Sequence, residues 1–78
     1  MSRLHLFIGE IRLMKSKTII TFIKAAELGS FSRTANVLGY SQAAVTVQIK
    51  QLEDELGTRL FDRMGKGIQL TSSGERFL

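Results

Sequence analysis

FSRTANVLGYSQAAVTVQIKQLEDELG, residues 31–57, reads as two helices joined across a tight turn. Ser32 offers the short side-chain oxygen that caps free N–H groups at a helix start, and a short helix follows through Leu38. Gly39-Tyr40 turns the chain and Ser41 caps the next helix. Val45, Ile49, Leu52 and Leu56 recur at helical spacing as one narrow apolar stripe, and Gly57 stops it. Gln42, Ala43, Thr46, Val47 and Lys50 fall off that stripe and face outward. Ala35 is small enough to let the two helices cross closely.

Upstream, Ile19, Phe22, Ile23 and Ala26 mark one face of a helix over residues 17–28, with Ser16 as N-cap and Gly29 as terminator. Downstream the period changes. Leu60-Phe61-Asp62-Arg63 and Ile68-Gln69-Leu70 are strand-like runs around Met64-Gly65-Lys66-Gly67, a basic hairpin tip. Thr71 or Ser72 then caps a further helix. The order predicts a mainly α winged helix-turn-helix: a three-helix core, a two-stranded β-wing and the start of a fourth helix.

Seventy-eight residues hold one small domain. There is no cysteine, so neither a disulfide framework nor a thiolate metal site can form. With His5 as the single histidine, and no paired acid–base set, enzymatic chemistry is not expected, nor is a metal or cofactor. Apolar residues make up 44% and charged residues 23%, a globular composition. Eleven Lys/Arg against seven Asp/Glu leave a net charge of +4, which favours a polyanionic partner. Leu4–Ile8 is too short for a secretory core, and charges interrupt every other apolar run, so a cytoplasmic protein without membrane contact is expected. Glu53-Asp54-Glu55 crowd the last turn of the third helix, where the dipole disfavours acids; they read as a solvated face turned away from phosphate. Arg59 and Arg76 pair with Asp62 and Glu75, while Lys15, Lys17 and Lys24 solvate the first helix.

A helix fits the major groove of double-stranded DNA, its N-terminal dipole favours phosphate, and short polar side chains there reach base edges. The basic hairpin after it would be a wing that touches the backbone or the minor groove alongside. The rival readings are a winged helix that docks on protein, which would lack a steep salt dependence, and an RNA binder. RNA binding asks for aromatic platforms, and only Tyr40 is available.

The stretch from Phe22 to Gly74 closely resembles the N-terminal domain of LysR-type transcriptional regulators. GSFS at 29–32, SQ at 41–42, QIKQLEDELG at 48–57, LFDR at 60–63 and LTSSG at 70–74 occur in order over about two thirds of the chain. The resemblance implies a helix-turn-helix over 31–50 within a domain spanning 14–71, a wing at 60–70, and a linker helix that begins at 72–78 and pairs subunits. It implies that Ser32 and Ser41 meet phosphates, that Gln42 reads a base edge in the major groove with Thr46 beside it, and that Arg63 and Lys66 serve the wing. Family members bind imperfect palindromes as dimers or tetramers, activate or repress transcription, and sense a small molecule through a larger C-terminal domain. Departures are Ala43 where proline is frequent, Thr34 where alanine is usual, Thr46 for a common serine, and Val47 where many members carry arginine or another polar residue.

Residues 1–13 fall outside the resemblance. Either Met14 is the true start and 1–13 are translated leader, or they form an arm with an apolar face at Leu4, Phe7, Ile8 and Ile11. With the family's effector domain as the standard, the resemblance leads to the expectation that the chain is a fragment, a truncated product or an excised domain. Two turns of pairing helix after Thr71 should leave it monomeric or weakly dimeric; sedimentation at micromolar concentration checks this, a tight dimer being the contrary result.

Overall fold

The computed structural model describes residues 16–65 and 67–78. The expectations placed on residues 1–13, Met14 and Lys66 lie outside the described residues. Helix α1 covers 16–28 of them, α2 is Phe31–Leu38 and α3 is Gln42–Leu56. Strands β1 (Phe61–Met64) and β2 (Gly67–Leu70) follow, then α4 (Ser72–Phe77). This is the expected mainly α winged helix-turn-helix architecture.

Local chemistry sets the helix ends. Ser16 is already helical, so it is not the cap expected of it. At α2 the cap is Ser30 rather than Ser32: its hydroxyl oxygen accepts from the Arg33 N–H at 3.1 Å. The earlier start puts Phe31, Thr34 and Ala35 on one buried face, and the Thr34 hydroxyl donates to the Ser30 carbonyl at 2.7 Å. A start at Ser32 would leave Phe31 outside the helix. Gly39 closes α2 in the left-handed region at φ 77°, and the Tyr40 N–H donates back to the Ala35 carbonyl at 2.9 Å. Ser41 caps α3 as expected, accepting from Ala44 N–H at 3.1 Å.

The core gathers Phe22 and Ala25 from α1, Phe31 and Ala35 from α2, Val45 and Ile49 from α3, and Leu60 and Phe61 from the root of the wing. Phe61 is central, with its ring centroid 5.5 Å from both Phe22 and Phe31. Two expected faces are shifted. On α1 the buried side is Thr21, Phe22 and Ala25, while Ile19 and Ile23 are 49% and 40% exposed. On that side the buried Thr21 hydroxyl reaches the side-chain oxygen of Gln48 on α3 at 2.6 Å and the Lys17 carbonyl at 3.0 Å. On α3, Val45 and Ile49 are buried and Leu52 packs against the core, but Leu56 turns out to solvent.

β1 and β2 pair antiparallel with Phe61 opposite Leu70 and Met64 opposite Gly67. Gly65 takes φ 60°, in the left-handed region that glycine enters without strain. The strands thus reach one residue further toward the tip than the expected runs, and Leu60 is not part of them. Leu60 is buried, and its carbonyl accepts the Thr71 N–H at 2.9 Å. Thr71, not Ser72, caps α4, accepting from Gly74 N–H at 3.0 Å. A β-carbon on Gly74 would overlap the Leu60 carbonyl oxygen. No helix among the described residues is long and apolar enough to cross a membrane.

In urea denaturation, Leu60→Ala should cost about 2–5 kcal/mol, and half-buried Leu52→Ala clearly less. Gly74→Ala should cost about 1–3 kcal/mol by forcing α4 off the wing root. Equal losses at Leu60 and Leu52 would contradict the burial pattern.

Candidate nucleic-acid interface

α3 presents its first two turns to solvent. Gln42, Ala43, Val47 and Lys50 are exposed and Thr46 is half-buried. Ser41 precedes them, and because its oxygen accepts from Ala44 its own O–H proton remains free to donate outward. Ser32 lies in the first turn of α2, where backbone N–H groups have no intrahelical acceptor. The hydroxyl of Thr46 donates to the Gln42 carbonyl at 3.1 Å, so it is bound to its own helix.

The wing stands beside this face and joins its parts. A cleft of about 150 Å³ is lined by Ser32 from α2, Gln42 from α3 and Arg63 from β1, with Ser30 and Gly67 at its edge. A larger one, about 550 Å³, is lined by Thr46, Lys50 and Arg63 together with Glu53 and Arg59. Arg63 borders both. Its guanidinium lies 5.9 Å from the Phe31 ring centroid, within cation–π range, so the side chain rests on α2 while its charge faces solvent. Ser41, Ala43 and Val47 line neither cleft and sit on the open face.

Glu53 departs from the expected solvated run. Its Oε2 accepts the N–H groups of Leu60 at 2.7 Å and Phe61 at 3.3 Å, so it holds the wing root against the end of α3. An acid placed against the helix dipole, just before a glycine that doubles the chain back, was the available signal. Phe31 as a platform for Arg63 had no signal beyond its apolar character. Arg59 does pair with Asp62, at 3.8 Å and largely exposed. Among the described residues, no group of acids, histidines or cysteines is arranged to hold a metal ion.

The family model described as bacterial regulatory helix-turn-helix protein, lysR family, matches residues 17–75. The chain belongs to the LysR family. It is 53% identical over 64 residues to the uncharacterized HTH-type transcriptional regulator YwqM of Bacillus subtilis, an alignment that covers 82% of this chain and 22% of that protein. To CitR, an HTH-type transcriptional regulator of the same organism, it is 48% identical over 65 residues, covering 83% of this chain and 22% of CitR. Among solved structures, the CbnR DNA-binding domain in complex with DNA superposes with a TM-score of 0.77 at 39% identity, over 80% of this chain and 71% of that one. This LysR-family chain therefore spans about a fifth of the length of YwqM and of CitR.

If Glu53 pins the wing root, Glu53→Ala should lower stability by about 1–3 kcal/mol, because it strands two buried N–H groups. Glu53→Gln, which keeps an acceptor, should lose less. Thermal melts of the two variants check the order.

Proposed function

We propose that this chain binds double-stranded DNA sequence-specifically and regulates transcription, with α3 in the major groove and the β-hairpin alongside. The observation that carries the reading is the outward face of α3, free of any core role and flanked by Arg63. Such a surface suits a grooved polyanion, and the net charge of +4 has the matching sign. Membership of the LysR family and the likeness to a DNA-binding domain solved with DNA support it. A cytoplasmic location follows from that role.

Within this reading the contacts divide by chemistry. The first-turn N–H and hydroxyl of Ser32, the O–H of Ser41, and the charges of Lys50 and Arg63 hold phosphates. Lys66 joins them. Gln42 reads a base edge with its amide, and Ala43 and Thr46 shape the surface beside it. In a longer protein, α4 extends as the linker that pairs subunits into dimers or tetramers, and an effector domain follows it.

Fluorescence anisotropy on a duplex from the adjoining intergenic region, with a scrambled duplex beside it, tests the proposal at two salt concentrations. Binding through about 3–5 phosphates should weaken steeply as salt rises. Lys50→Ala should weaken both duplexes alike and lower the salt slope by about 1. Gln42→Ala should cost about 1–3 kcal/mol on the preferred duplex and little on the scrambled one. Salt-insensitive behaviour, or no binding to either duplex, would point to a protein partner instead.

A further inference from the structure

We propose that Val47 makes this chain select half-sites with a thymine at one fixed position, by packing its branched side chain on the thymine 5-methyl group. The inference rests on the reading of α3 as the helix that enters the major groove, and adds which base that helix favours.

Val47 is 54% exposed in the middle of the face that carries Gln42 and Lys50. Folding does not ask for it: it adds nothing to the core, and β-branching lowers helix propensity. Its neighbours share its character. Ala43, one turn earlier, exposes a methyl. Thr46 has committed its hydroxyl proton to the Gln42 carbonyl, which leaves a lone pair and a methyl. Positions 43, 46 and 47 together therefore present methyl groups and no free donor.

The bases respond differently to such a surface. In the major groove guanine shows two acceptors, adenine an acceptor and a donor, and cytosine a donor; thymine alone offers an apolar group. Against guanine, Val47 would displace water and return no hydrogen bond, which is unfavourable. Against thymine, it covers a methyl that water serves poorly. Lys50, exposed and one turn further along α3, matches the charge of a duplex. Val47 is the largest apolar side chain among the three positions, enough to cover one methyl.

The test selects half-sites from a randomised duplex pool with the 78-residue chain. Each thymine of the selected sequence is then replaced singly by deoxyuridine, which keeps every hydrogen-bonding group and removes only the methyl. At one or two positions uracil should weaken the unmodified chain about 3–5-fold, the worth of one buried methyl. Val47→Ala should abolish that penalty at the same positions, with an unchanged thermal melt, while Val47→Ile and Gln42→Ala retain it. Uracil tolerated everywhere, or an undiminished penalty in Val47→Ala, overturns the inference and leaves DNA binding standing. A chain that enriches no sequence at all overturns the DNA-binding reading and this inference together.

Discussion

The carboxylate of Glu53 receives two backbone N–H groups, those of Leu60 and Phe61, at the point where the chain leaves its helices and begins its hairpin. Both residues are buried, so their N–H groups need acceptors, and Leu60 lies outside the strand pairing. A carboxylate in the last turn of a helix is otherwise poorly placed, since it opposes the dipole. Here each problem answers the other. With Leu60 and Phe61 held, the Phe61 ring closes against Phe22 and Phe31, and the Leu60 carbonyl is left to receive Thr71. The three-helix core, the wing and the start of α4 all meet at this pair of residues.

That junction is also what gives the outward face its shape. β1 leaves Phe61 in an extended conformation, so two residues later Arg63 emerges on the same side as the first turns of α2 and α3. Its guanidinium lies over the Phe31 ring, between the clefts that hold Ser32 and Gln42 on one side and Lys50 on the other. β2 is fixed in turn by the Ile68 N–H, which donates to the Gly29 carbonyl at 3.1 Å. Gly67 must be glycine-sized at that approach, because a β-carbon would come within 2.9 Å of the same carbonyl oxygen. The hairpin is thus tied at both ends to helical elements, and the relation between wing and α3 is a property of the packed core.

The helices, the hairpin and their order were legible in the sequence because each has local signals: periodic apolar residues, glycines at the ends, serines at the starts. So was the outward face of α3, which follows from the stripe it opposes. What stayed hidden depended on tertiary partners. Ser30 and Ser32 are equal as local caps, and the choice falls to Ser30 because Phe31 must enter the core. Ile19 and Ile23 match a helical period as well as Phe22 does, yet α1 packs with Thr21, Phe22 and Ala25 inward and leaves both isoleucines half in solvent, a choice of face that only the tertiary partners, Gln48 among them, fix. Glu53 looked like one more charge in an acidic run, since the N–H groups that donate to it lie seven and eight residues on, around a turn. The roles of single residues on the outward face came from the family resemblance, and the geometry adds which of them share a cleft.

The close approach of Gly74 to Leu60 has a mechanical meaning. The first turn of α4 bears on the same carbonyl group that Thr71 binds, with no side chain between them to act as a cushion. Tilting α4 about its start therefore loads the backbone of Leu60 directly, and Leu60 is continuous with β1 and Arg63. The hairpin and the fourth helix share one bearing surface, so the direction in which α4 leaves the domain is set by the residue that precedes the wing.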